Sequence, residues 1–448
     1  MNRLPAARVL HALGLPGQPP PTLDFSSVST DTRTIQPGAL FVALSGERFD
    51  GHAFLALAAR AGARGAVVRR GTEPVTGLAL FEVADTLEAL GRLARDRRNE
   101  ITGPVVAITG TNGKTSTKEL VAAALAARYR VHATSANRNN LVGVPLTILG
   151  APEGTEVLVV EAGASVPGEV ARMRAIIEPT VGIITNVAPG HLAGFGSVAG
   201  VLRDKLALLE GVPLAFVGAE PKELAQGARR AARRVTTVGL RAGAEVRPER
   251  WSLDPSGRPV LVFRGQECRV PLIGAHQAVN AMFALALAAE LKLELPLVAR
   301  ALAGVTLPPG RGEVLHSGPL TVINDAYNAN PGSLAAALDT VQAMRGTRRL
   351  VIVVGSMLEL GPESRGHHER LAAAIMAVGP DLIGAVGEFA PVLQAARPAL
   401  GDRLVTAPSP EALGRALRKR LAGDELVLLK ASRGVALERA LPHLLNRS

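Results

Sequence analysis

The stretch TGTNGKTS, Thr109 to Ser116, follows the apolar run VVAI and precedes a segment with apolar residues at helical spacing. A strand that runs into a glycine loop and then a helix turns a row of backbone N–H groups, and the positive end of the helix, toward anions. Lys114 adds a charge suited to β and γ phosphates, and Thr115 a hydroxyl suited to Mg²⁺. Gly110 and Gly113 are separated by two residues, where the common phosphate loop has four. VLVVEAGA puts Glu161 at the end of a second strand, where a carboxylate can face a metal held on ATP oxygens. His191 follows a third strand in TNVAPGHLAGFGS, and Lys205, one of only seven lysines, lies in VLRDKLALLEG.

Two further clusters carry polar groups suited to ligand contact. In GAHQAVNAMFALALAAE, His276 and Asn280 stand four apart, on one face of an otherwise apolar helix. NDAYNANPGS, Asn324 to Ser333, packs Asp, Tyr, three Asn and Pro into a rigid polar loop at a strand end. GSMLELG (Gly355 to Gly361), His368 and KASR (Lys430 to Arg433) stand at similar places.

The elements that must position these groups fall into three sections. Residues 1–83 have short apolar runs broken by Gly, Pro and Asp and read as a small α/β domain. Residues 84–311 alternate strands (Val105 to Thr109, Val157 to Val160, Val181 to Thr185) with helices, which argues for a parallel sheet covered on both faces. After Pro308-Pro309-Gly310-Arg311-Gly312, a hinge candidate, residues 312–448 resume the alternation as LTVIND, RLVIVVG, LIGAVG, RLVTA and ELVLLK. That third section reads as a Rossmann-like unit without G-x-G-x-x-G. The expected class is three-domain α/β, with a P-loop ATPase-type parallel sheet at the centre.

Bulk properties narrow the partners. The chain has 448 residues, 47% of them hydrophobic, and a net charge of +11. The positive charge is arginine dispersed in short groups, and aromatics make up only 3% and are not interleaved with it. Stacking platforms for nucleic-acid bases are therefore not evident. A single cysteine, Cys268, excludes an internal disulfide framework and fits a reducing compartment. MNRLPAARVLHALGL lacks the apolar core of a signal peptide, and the dozen apolar residues from Ala278 are too few to span a bilayer. The expectation is a cytoplasmic monomer with no nucleic-acid partner and no membrane insertion.

TGTNGKTS, FDGHAF, TSANRNNLVGVPLT, GHLAGFGS, DAYNANP and MLELG together resemble the Mur ligases of bacterial cell-wall synthesis, and they span all three sections. Within that family the resemblance is to the ligases that join D-alanyl-D-alanine to UDP-N-acetylmuramoyl-tripeptide. It implies an ATP-dependent amide ligation through an acyl phosphate. It also implies that Gly110, Thr111, Asn112, Gly113, Lys114, Thr115 and Ser116 hold ATP, with Thr115 on one Mg²⁺. Glu161 and His191 resemble ligands of a second Mg²⁺, and Lys205 falls where these ligases carry a carbamylated lysine; Lys114, Lys205 and His191 are then the catalytic candidates. His276, Asn280, Arg311, Asp325 and Asn328 resemble nucleotide contacts. Asp31, Thr32 and Arg33, with Asn137, Asn139, Asn140 and Asn330, resemble contacts to the UDP-sugar-peptide, so 1–83 is expected to bind that substrate and 84–311 ATP.

Five positions depart from the family pattern: Thr32 stands for Ser, Gln277 for Asn, Asn324 for Asp, Ser356 for Asp and Ala431 for Gly. Thr32 and Gln277 keep their chemistry; Asn324 and Ser356 lose a charge. The competing readings are a folylpolyglutamate ligase, the ligase that adds the third amino acid, and a basic nucleic-acid-dependent ATPase. About 83 residues before the ATP unit argue against the first, and DAYNANP against the second.

Overall fold

The computed structural model describes residues 3–46 and 49–445. Residues 1–2 and 47–48 of the first expected section, and 446–448 of the third, lie outside the described residues.

Strand Val105–Thr109 is buried at every position. Side chains alternate across a strand, so a strand covered on both faces must be apolar throughout. Val105 and Ala107 enter one core with Leu90, Leu93 and Val160, while Val106 and Ile108 enter another with Leu120, Phe283 and Leu287. The six central strands are all parallel, in the order Val131–Ala133, Val157–Glu161, Val105–Thr109, Val181–Ile184, Leu214–Gly218, Arg234–Val238. The phosphate-loop strand thus lies between the strand that ends in Glu161 and the strand that leads to His191. Later strands are added on both sides of it, and this switch in strand order opens a crevice at the carboxyl ends of the strands.

Helix Thr86–Arg98 begins where Asp85 accepts hydrogen bonds from the backbone of Leu87 and Glu88 (2.7 and 2.9 Å). Its buried face, Ala89, Leu90, Leu93 and Ala94, joins the core that also holds Val67 and Phe81 of the first section. Truncation of the fully buried Leu90 to Ala is expected to cost about 2–5 kcal/mol. The first section is a parallel four-stranded sheet, Val28–Ser29, Leu40–Val42, Gly65–Arg69 and Ala79–Val83.

One element departs from the expected strand–helix alternation. Residues 250–269 form an antiparallel three-stranded meander, Arg250–Leu253, Pro259–Phe263 and Gln266–Arg269. Its second turn is Arg264-Gly265, both at positive φ (49° and 76°), the geometry of a tight hairpin. Cys268 on its last strand is 1% exposed, and burial pushes the thiol pKa up to about 11, which leaves it inert.

The last section places Leu426–Lys430 between Leu320–Asp325 and Leu350–Val354, with Leu382–Ala385 and Leu404–Thr406 beyond and Glu313–Ser317 antiparallel at the other edge. The loops after Asp325, Val354 and Lys430 therefore emerge side by side. No helix among the described residues is long and apolar enough to cross a membrane.

Candidate functional site

The phosphate loop is held by its neighbours on both sides. Gly110 (φ 150°) passes so close to the strand-end Thr185 that a Cβ would lie 1.9 Å from Thr185 Oγ1; at Gly113 (φ 79°) a Cβ would lie 2.5 Å from Asn280 Oδ1. These two close approaches explain the positions of both glycines. Between them, Asn186 clasps the loop tip: its backbone carbonyl accepts from Thr111 N (3.0 Å), its Oδ1 accepts from Asn112 N (3.0 Å) and its Nδ2 donates to Asn112 O (3.0 Å). The N–H groups of Thr111 and Asn112 are therefore already used. Those at the start of helix Lys114–Ala126 remain the anion-facing set. Lys114 Nζ folds back onto the carbonyls of Gly110 (2.8 Å) and Thr111 (3.1 Å); burial lowers its pKa, offset by the charge of Glu161.

Glu161 is 1% exposed. Asn139 Nδ2 donates to its Oε1 (2.8 Å), and its Oε2 is buried with no hydrogen-bond partner. A buried carboxylate oxygen without a donor is costly, and a divalent cation is the partner that carboxylate chemistry fits there. Among the described residues, no three His, Cys, Asp or Glu side chains gather as a metal cluster, so a cation would also have to draw on the ATP oxygens, Thr115 or Lys205.

His191 adopts a left-handed backbone (φ 53°), and its Nδ1 meets the Glu359 carboxylate. Burial and the charge of Lys114 lower its pKa, while Glu359 opposes that shift. Lys205 is 2% exposed and does not line the cavity; burial and the charge of Lys114 bring its pKa down to about 7.

One cavity of about 1200 Å³ joins Lys114, Glu161 and His191 to the last section. It is lined by Thr111 to Ser116, Asn137, Asn139, Asn140, Glu161, His191, His276, Asn280, Arg311, Asp325, Asn328 and Asn330. Asp31, Thr32 and Arg33 lie apart from it, after strand Val28–Ser29; Asp31 binds Arg33, which lowers its carboxyl pKa to about 2. His276 opens into the cavity, and desolvation by the surrounding walls lowers its pKa. Asn280 donates to Gln277 Oε1 (2.9 Å), and Gln277 in turn reaches Ser116 Oγ (3.5 Å), so the amide at 277 ties this helix to the phosphate loop.

On the facing wall, Lys430 pairs with Asp325 (2.7 Å) and donates to Asn328 O (2.6 Å). Asp325 Oδ1 accepts from Gly312 N (3.1 Å), and the Arg311 guanidinium stacks 3.9 Å from the Tyr327 ring centre. Asn330 caps helix Pro331–Met344, and its Nδ2 donates to Asn112 Oδ1 of the phosphate loop (2.6 Å). One departure from the family pattern gains a reason. Asn324 Nδ2 donates to Glu313 Oε2 (2.9 Å), where an Asp would oppose a second carboxylate. Ser356 Oγ accepts from Glu388 N (2.9 Å). Sequence reasoning does not single out Thr185, Asn186 or Glu359 as individual residues; the strand end TN before His191 is the only local signal for the first two.

Three family models match in order: Mur ligase family, catalytic domain, at residues 24–98; Mur ligase middle domain at 108–288; and Mur ligase, glutamate ligase domain, at 310–433. The chain is 33% identical over 429 residues to the UDP-N-acetylmuramoyl-tripeptide--D-alanyl-D-alanine ligase of Bacillus subtilis, covering 94% of this chain and 93% of that one. It is likewise 33% identical to the ligase of that name from Escherichia coli, over 94% and 93%. Among solved structures, MurF from Acinetobacter baumannii matches at 28% identity over the whole of both chains, with a TM-score of 0.88. MurF ligase from Thermotoga maritima, in complex with ADP, matches at 27% identity over 93% and 96%, with a TM-score of 0.82. With three of its models matching in order along the chain and relatives 33% identical over 94% of it, the chain belongs to the Mur ligase family.

Proposed function

We propose that this chain joins D-alanyl-D-alanine to the free carboxylate of a UDP-N-acetylmuramoyl-tripeptide, with ATP cleaved to ADP and phosphate, as a cytoplasmic enzyme of peptidoglycan precursor synthesis. The observation that carries the reading is the single cavity in which the phosphate loop faces the DAYNANP loop. The relatives that share that name over nearly the whole chain support it.

A substrate carboxylate oxygen attacks the γ phosphorus, ADP departs, and an acyl phosphate remains. The dipeptide amine then attacks the carbonyl carbon to form the C–N bond and loses a proton, and the tetrahedral centre collapses as the C–O bond to phosphate breaks and phosphate leaves with its electron pair. Lys114 and the first turn of its helix screen the anions that must approach. Gly110, Thr111, Asn112, Gly113 and Ser116 shape the triphosphate seat, and His276, Asn280, Arg311, Asp325 and Asn328 surround the nucleotide. Asn137, Asn139, Asn140 and Asn330 face the acyl end of the sugar-peptide. Asp31, Thr32 and Arg33 take its distant UDP end, next to helix Gly143–Leu149, which leaves the Asn137 to Asn140 loop and packs on strand Val28–Ser29.

Thr115 would hold one Mg²⁺, and Glu161, His191 and carbamylated Lys205 a second. When bound, these cations neutralise charge on ATP and on the transferred phosphoryl group. Burial and the charge of Lys114 lower the Lys205 pKa, which favours the neutral amine, the form that adds CO₂ to give a carbamate and a proton. A carbamate signal in ¹³C NMR, present with ¹³C-bicarbonate and absent from Lys205→Ala, checks this.

Mass spectrometry of the product tests the whole reading. The expected mass is the tripeptide substrate plus the dipeptide less water; a product carrying any other amine, with D-alanyl-D-alanine unused, would refute it.

A further inference from the structure

The loop Gly355 to Gly361 is fastened to its own sheet at four points. Met357 N donates to His368 Nε2 (3.0 Å), Leu358 N to Ser432 Oγ (2.9 Å), Ser432 N to Ser356 O (3.0 Å) and Glu388 N to Ser356 Oγ (2.9 Å). His368 is fully buried and packs its ring edge-on to Phe389, 4.7 Å between centroids. The base of the loop is rigid, and its tip crosses to the central section. There the Glu359 carbonyl accepts from Ala193 N (3.1 Å) and the Glu359 carboxylate meets His191 Nδ1. Both partners hold a left-handed backbone, Glu359 at φ 64° and His191 at φ 53°. Such a conformation is unfavourable for residues other than Gly, Asn and Asp and persists where the surroundings enforce it.

A carboxylate only accepts hydrogen bonds, so Nδ1 must carry the proton, and the neutral ring keeps its lone pair on Nε2. That tautomer and a fixed ring are what a ligating imidazole needs, and an outer carboxylate is a common way to secure them. We infer that Glu359 is a positioning residue for His191, delivered by the last section, so that the cation side of the site is complete only when that section is docked. This rests on the ligase reading for the identity of the reaction but not for its test.

The test is Mn²⁺ binding, followed by electron paramagnetic resonance in the presence of ADP and without sugar-peptide or dipeptide. The carboxylate of Glu359 is 56% exposed, so its replacement leaves the fold intact. Glu359→Ala is expected to weaken Mn²⁺ about 10- to 100-fold, the usual range for loss of an outer-sphere partner, and to lower kcat while KM for ATP stays within about twofold. Glu359→Gln keeps an oxygen that accepts from Nδ1–H and stays within about threefold of the parent. An alanine variant that binds Mn²⁺ as the parent does, or a glutamine variant as weak as alanine, overturns the inference. Failure of the ligase reading would show separately, as a parent enzyme that binds Mn²⁺ with ADP but makes no dipeptide adduct.

Discussion

On the wall built by the central sheet, Glu161 keeps one buried oxygen without a partner and the first turn of helix Lys114–Ala126 keeps its N–H groups open. On the facing wall, Asp325 and Lys430 are already paired at 2.7 Å, Lys430 is anchored on Asn328 O, and Arg311 lies on Tyr327. The first leaves groups that a ligand must satisfy; the second satisfies most of its own. Arg311 Nε, buried without a partner, is the exception on that side and the group there most in need of a ligand.

The contrast predicts a graded response. Lys114→Ala should give the largest effect, at least about 10³-fold in kcat measured by steady-state phosphate release, because Lys114 is the cation seated on the phosphate loop itself. Glu161→Gln should follow with a loss of about 10²-fold, read with a raised Mg²⁺ requirement in the same assay. Lys430→Ala should act on stability first: removal of one partner from a buried pair costs about 3 kcal/mol, read from the midpoint of urea unfolding. If Lys430→Ala instead matched Lys114→Ala in kcat with unchanged stability, the distinction between the two walls would fail.

The two smallest effects sharpen the comparison on the second wall. Asn330→Ala removes both a helix cap and the bond to Asn112, and should cost about 1 kcal/mol in thermal unfolding. Asn324→Asp sets a carboxylate against Glu313, so it should lower Tm at pH 7 by a few degrees. The loss should shrink as pH falls through about 4, where carboxylates protonate.

Much of the central wall is written locally. A strand, a glycine loop and a helix in sequence determine where Lys114 and Thr115 point, and a strand end determines where Glu161 stands, because both follow from chain periodicity. The same holds for the parallel strands around them and for the position of DAYNANP. What could not be read is what crosses between segments far apart in the chain. Asn186 clasping Asn112, Asn330 reaching the same loop, and Glu359 meeting His191 leave no periodic trace, since each depends on how two finished elements come together. The meander at 250–269 was missed for a different reason: its strands are short and its turn, Arg-Gly, is a weaker hairpin signal than Asn-Gly. Lys205 stands out by scarcity and by the family resemblance, and its place behind the cavity wall follows only from the packing of helix Val198–Leu206.

The most direct test is phosphate release from ATP and Mg²⁺ with UDP-N-acetylmuramoyl-tripeptide and D-alanyl-D-alanine, each omitted in turn. Sustained release is expected only when all are present, because the acyl phosphate formed on the central wall needs the amine to turn over. Release that continues at the full rate without the dipeptide would contradict the assignment.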